Sequence, residues 1–187
     1  MTMTMAVTMT MTHRITIAVS SCLLGQPVRY DGDHKLHQPI TEQICNTFHC
    51  LAVCPEVGIG LGVPRAPIHI VDDGGKLRIA TTTVTSLGIT TSLAQYADKV
   101  AQSHPHIRGY IFKARSPSCG IQSTDIWDAT GQIVRKGSGL FSARWLKLFP
   151  EMPVIEESDL DCEIAMAQFM AQVRAYDARC VGQHGVE

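Results

Sequence analysis

Seven cysteines, Cys22, Cys45, Cys50, Cys54, Cys119, Cys162 and Cys180, stand in a chain of 187 residues. An odd number cannot pair completely within one chain, and the start, MTMTMAVTMTMTHR, lacks the basic-then-apolar order of a secretion signal. Reduced thiols are therefore the expectation. Thiolate donors suit zinc or iron–sulfur centres rather than hard cations. Cys22, Cys54 and Cys119 lie in tight turns: Ser20-Ser21-Cys22, Cys54-Pro55-Glu56 and Ser116-Pro117-Ser118-Cys119-Gly120. Such turns expose backbone N–H groups to sulfur, and a glycine admits a bulky ligand. These three are separated by 32 and 65 positions, so any site they share must be assembled by the fold. Arg29, Arg65, Lys113 and Arg115 occupy the same loops, where they can hold thiolates or an anionic substrate.

Plainer readings compete with each of these. Cysteine is often a small buried hydrophobe, and Cys45, Cys162 and Cys180 fall in helical stretches where packing explains them. Cys45, Cys50 and Cys54 form C-x4-C-x3-C beside His49, a local zinc or cluster pattern. Against it, Cys50 and Cys54 would bound one short strand. For Cys22, Cys54 and Cys119 the residues alone leave packing and ligation evenly balanced. Glu56 after Pro55 can cap a turn, and Ser116 and Ser118 can be turn formers. Arg29 can pair with Asp31, and Arg65 between prolines can anchor its loop. His34, His37, His69, His104 and His106 show no ligand spacing and read as surface or structural. GIGLG lacks the strand–helix context and the lysine of a phosphate loop.

The elements that must position these residues are short. Ile15–Ser20, Leu51–Cys54, Ile107–Phe112 and Pro153–Ile155 read as buried strands. Asp72-Asp73-Gly74-Gly75 between Ile68–Val71 and Lys76–Ala80 predicts a hairpin, and Ala129-Thr130-Gly131 within DIWDATGQIV a second. Helices are expected over Pro39–Phe48, Ser86–Ser103 and Ser142–Phe149, and from a Ser158 cap to Ala178. Strands separated by helices give an α/β fold: one domain with a mainly parallel, Rossmann-like sheet flanked by helices, plus small β-hairpin insertions. In such sheets ligands bind beyond the carboxyl ends of the strands. Cys22, Cys54 and Cys119 fall at three such ends, and neighbouring strands are only ~4.8 Å apart.

Composition bounds the function. Sixteen basic against 17 acidic side chains give a net charge of −1, which argues against a dedicated nucleic-acid or membrane-surface module. No apolar run approaches the ~18 residues of a membrane span. A cytoplasmic protein with no membrane partner is expected, a monomer or small homo-oligomer. Residues 1–13 read as a low-complexity, disordered tail before one domain over 14–187.

Four stretches, SSCLLGQPVRYDG (Ser20–Gly32), CPEVGIGLGVPRAP (Cys54–Pro67), KARSPSCG (Lys113–Gly120) and GSGLFSARWL (Gly137–Leu146), resemble the thiouracil desulfidases, in family order. The resemblance implies a 4Fe–4S cluster held by only three cysteines, which the motifs place at Cys22, Cys54 and Cys119. It further implies that the fourth iron binds the thiocarbonyl sulfur of a small thiolated pyrimidine. Glu56 with Ser116 or Ser118 would then activate the water that replaces sulfur, giving hydrosulfide without net redox change. Arg29, Arg65 and Lys113 become candidate substrate contacts. Free base, nucleotide and thiolated RNA stay open as substrates, although near-neutral charge weighs against a large RNA surface. Two other classes compete: a non-catalytic metal or iron–sulfur binding or sensor protein, and metal-free catalysis with Cys119 as nucleophile.

Overall fold

The computed structural model describes residues 14–81 and 86–183. The low-complexity start, 1–13, lies outside them. The main sheet holds four parallel strands in the order β2-β1-β5-β8: β1 Thr16–Ser20, β2 His49–Val53, β5 Ile107–Phe112 and β8 Val154–Glu156. From β1 the chain moves one way to β2, then crosses back to β5 and on to β8. The order therefore reverses between β1 and β5, and the crevice beyond their carboxyl ends is the topological switch point.

Alternation along β1 divides its side chains between two cores. Ile17 and Val19 join Ile40, Ile44, Phe169 and Val173 on the face covered by helix α5, Glu163–Gln183. Ala18 faces the other side, with Tyr110, Phe112, Phe141 and Trp145 beneath α3 (Ser86–Ser103) and α4 (Leu140–Leu148). Gly109 lets α5 approach β5 closely, since a Cβ there would lie 2.8 Å from the Val173 side chain.

The two expected hairpins form, β3 His69–Asp73 with β4 Lys76–Ala80 and β6 Thr124–Trp127 with β7 Ile133–Gly137. They are not separate decorations. Parallel pairing of β3 with β6 joins them into a second four-stranded sheet, β4-β3-β6-β7. Ile89 and Leu93 of α3 pack on this sheet while Ala97 and Val100 pack on the main one, so a single helix ties the two together.

Three expectations are corrected. Cys45 and Cys50 form a disulfide, so two of the seven thiols are not free and the local C-x4-C-x3-C site loses two of its donors. The disulfide links the end of the first helical segment to the strand it feeds. That segment is a π-helix over Ile40–Ile44 that closes as a short turn, α1 (Cys45–Thr47). Ser158 does not cap the last helix: it lies in a 3₁₀ turn, Glu157–Asp159, and α5 begins at Glu163. Glu156 and Glu157, just before Ser158, reach instead to the loop after β5.

Candidate active site

The five free cysteines among the described residues divide by location. Cys22, Cys54 and Cys119 line one cavity of about 630 Å³ at the switch point, whereas Cys162 and Cys180 do not line it. Each of the three follows a strand of the main sheet. Cys22 sits in a 3₁₀ turn (Ser21–Leu24) two residues past β1, with Gly25 closing the turn at φ 83°. Cys54 directly follows β2 and leads into a one-turn helix, α2 (Pro55–Gly58). Cys119 lies in the loop after β5. Cys22 and Cys119 are buried and Cys54 half-buried.

The Cys119 loop is built tightly. Ser116 Oγ accepts the N–H groups of Ser118 (3.2 Å) and Cys119 (3.1 Å), and Arg115 holds a left-handed conformation at φ 61°. The first turn of α4 grips it from outside: Leu140 N–H donates to Pro117 O, and the Phe141 and Ser142 N–H groups donate to Ser118 O. Helix donors that would otherwise go unsatisfied thus fix the loop carrying Cys119.

The thiols repel charge. Burial first, then Cys54, pushes Cys22 up to about 11. Burial also raises Cys54, and it raises Cys119 well above 9, with Cys54 adding to the effect and the Ser20 hydroxyl opposing it. So high a pKa leaves Cys119 a poor nucleophile near neutrality, which argues against metal-free thiol catalysis. The donor set instead suits a cationic group that would stabilise thiolates. Among the described residues no set of three His, Cys, Asp or Glu side chains converges on a single ion. An iron–sulfur cluster takes one thiolate on each of several irons, and three separated cysteines around one cavity fit that demand better than they fit one zinc.

Glu56 lines the same cavity and is held at both oxygens. Ser118 Oγ donates to Oε1 at 2.9 Å, and Arg65 approaches Oε2 through Nε at 2.9 Å and Nη2 at 2.8 Å. Arg65 also donates to Val28 O and Gly62 O, so its guanidinium is committed to these partners. Arg29 is paired with Asp31 at 3.0 Å. Lys113 Nζ donates to Ala114 O and to Glu157, whose other oxygen accepts the Ala114 N–H. All three candidate substrate contacts line the cavity, each already engaged. Ser116 lines it as well, while Ser118 is fully buried behind Glu56.

Sequence reasoning missed three participants. Glu157 orients Lys113 across 44 positions, and Ser20 Oγ accepts the Lys113 N–H across 93. Spacing carries no signal for contacts that long. His37, read as surface or structural, lines the cavity with its Nε2 3.2 Å from Asp161. Its place just before Pro39, in the strap between β1 and β2, was the available hint.

The 2-thiouracil desulfurase family profile matches residues 17–157, which include Cys22, Cys54, Glu56, Ser116 and Cys119. The chain belongs to the 2-thiouracil desulfurase family. A solved structure of a [4Fe–4S]-dependent thiouracil desulfidase, TudS, superposes with a TM-score of 0.61 at 30% identity, covering 83% of this chain and 98% of the other. The uncharacterized protein YbbK of Bacillus subtilis (strain 168) is 33% identical over 110 residues, 56% of this chain and 72% of YbbK. The superposition agrees with the α/β architecture and its parallel main sheet.

Proposed function

We propose that this 2-thiouracil desulfurase family member is a [4Fe–4S]-dependent desulfidase that converts a thiolated pyrimidine and water to the oxo-pyrimidine and hydrosulfide. The observation that carries the reading is the convergence of Cys22, Cys54, Cys119 and Glu56 on one cavity at the switch point. Its volume lies within the roughly 300–1,000 Å³ usual for small-molecule sites.

Cys22, Cys54 and Cys119 would hold the cluster, which when bound supplies an open iron as a Lewis acid for the thiocarbonyl sulfur. The protein supplies the water chemistry. Glu56 is the base, taking the proton of the attacking water. Arg65 and Ser118 fix its carboxylate from behind, so its position does not depend on substrate. Ser116 spends its oxygen on two backbone N–H groups, which leaves its own O–H for the water in the cavity. Lys113, steadied by Glu157, has two of its three ammonium protons engaged. The third is available to the oxygen or nitrogen of the pyrimidine on which charge develops. Arg29 and Arg65 act as wall rather than as free cations. Atoms balance as C=S and H₂O giving C=O and H₂S, with no electron donor required.

Anaerobic reconstitution with iron and sulfide, followed by incubation with thiouracil, tests the reading. The expected result is a brown protein with about four irons per chain that releases sulfide and uracil in equal amounts. Cys22→Ser, Cys54→Ser and Cys119→Ser should each lose the cluster, and Cys162→Ser and Cys180→Ser should keep it. A cluster-bearing protein that releases no sulfide would favour a sensor, and full activity after chelation would exclude the cluster altogether.

A further inference from the structure

The polar groups of the cavity address the edge of a thiopyrimidine, and its flat faces need a surface of their own. Small-molecule sites supply that surface with apolar and aromatic side chains. Among the described residues that line this cavity, only Tyr30 and His37 carry aromatic rings. His37 is tied through Nε2 to Asp161 at 3.2 Å, with Nδ1 buried. Tyr30 is the available ring. It is 42% exposed, whereas the other three tyrosines pack on the core beneath α3 and α4. The Arg29 guanidinium, held by Asp31, lies 5.4 Å from its centroid, and no aromatic ring among the described residues packs on it.

The loop that carries Tyr30 is fixed by the residue that fixes the base. Arg65 N–H donates to Tyr30 O at 2.8 Å, and Arg65 Nη2 donates to Val28 O at 3.0 Å. The same guanidinium binds Glu56 through Nε at 2.9 Å. Gly32, at φ 80°, closes the turn by donating its N–H to Arg29 O at 3.0 Å. One arginine therefore holds both the loop bearing the ring and the carboxylate that takes the water's proton. A substrate lying on Tyr30 is held in a fixed relation to Glu56, which is what attack at a single ring carbon requires.

We infer that Tyr30 is the stacking platform for the substrate's pyrimidine ring, a specificity-determining residue that selects flat, delocalised thiocarbonyl rings over puckered ones. The inference rests on the desulfidase reading of the proposed function and adds to it the residue that reads the ring. Stacking needs only a π-face, so it selects the ring class and leaves the choice of edge groups to hydrogen bonds. Tyr30 takes no part in bond making or breaking.

Tyr30→Leu removes the ring and keeps an apolar side chain at the cavity. In the reconstituted full-length protein, KM for thiouracil should rise about 5–100-fold, the usual weight of one base–aromatic stack. Iron per chain should hold and kcat should change little, the pattern of lost uniform binding. The calorimetric Kd of the product uracil should weaken by the same factor, independently of turnover. Wild type should prefer thiouracil to its ring-saturated dihydro analogue in kcat/KM, and Tyr30→Leu should lose that preference. Tyr30→Phe, which keeps the ring, should restore KM and preference, and Tyr30→Trp should bind uracil at least as tightly as wild type. Wild-type KM, uracil affinity and preference in an iron-loaded Tyr30→Leu protein would overturn the inference and leave the desulfidase reading intact. So would a loss of iron with uracil affinity unchanged, which would make Tyr30 a support of its loop. A cluster-bearing wild-type protein that releases no sulfide from thiouracil would overturn both.

Discussion

Glu56 divides its oxygens between Ser118 and Arg65, and that division separates two serines that the sequence left equivalent. Ser118 touches the carboxylate, whereas Ser116 holds the backbone of the cysteine turn. Glu56→Gln should therefore lower kcat by about 10²–10⁴-fold with iron content unchanged, the usual weight of a general base. Ser118→Ala should lower kcat in the same direction and keep the cluster. Ser116→Ala should lower cluster retention as well, read as iron per chain after gel filtration, and lower kcat per cluster through the lost O–H to the water. The cysteines give a pH prediction for the cluster-free protein. Cys22 has its folded pKa raised from 9.0 to about 11, chiefly by burial. The stability it lends is fully present below pH 9 and is lost as pH rises to 11, because the unfolded thiol ionises first. The loss is on the order of 3 kcal/mol at about 1.4 kcal/mol per pKa unit. Denaturant melts at pH 8 and 11 should show it, and Cys22→Ala should reduce it, with Cys54 and Cys119, raised in the same direction, supplying the rest.

At the scale of elements, the site depends on α4 gripping the Cys119 loop, and the decisive residue is Gly139 at the helix entry. A Cβ there would lie 2.4 Å from Ser118 C, 2.5 Å from Ser118 O and 2.7 Å from Cys119 N, all backbone atoms with nowhere to go. Gly139→Ala should cost about 1–3 kcal/mol or more as overpacking and lose the cluster, measured by thermal melt and iron content. The GSGLFSARWL stretch was legible as a motif, but its reason, two backbones in contact, was not. Local signals served well where structure is local. The β-branched run ITIAVS and the IRGYIF run gave β1 and β5, and DDGG and ATG gave the two hairpin turns. They failed where distant partners decide. Parallel pairing of β3 with β6 leaves no turn to read, and Glu157, binding Lys113 and the Ala114 N–H, holds the expected Ser158 cap in a 3₁₀ turn. The three cavity cysteines were legible because each follows a strand end. The Cys45–Cys50 disulfide was not, because helix and strand meet there only in the fold.

The whole molecule carries a net charge of −1, and its cavity mixes both signs: Arg29 pairs with Asp31, Arg65 with Glu56 and Lys113 with Glu157, while Lys35 and Arg115, which also line it, have no ion-pair partner among the described residues. Cations neutralised at close range project little field beyond a Debye length of about 10 Å at 0.1 M salt. With three of the five cavity cations neutralised in this way, the pattern suits a small thiopyrimidine better than a polyanion. An RNA substrate engaging six to ten phosphates would lose about 10³–10⁵ in affinity between 50 and 200 mM salt. The expected result is a kcat/KM for thiouracil that stays flat over that range, with micromolar unthiolated RNA giving no inhibition at 50 mM. Inhibition by RNA at 50 mM that disappears at 200 mM would show that the cavity mouth reads phosphates despite its pairing. The substrate would then have to be sought among thiolated RNAs, with the paired arginines and lysine exchanging their carboxylates for the backbone.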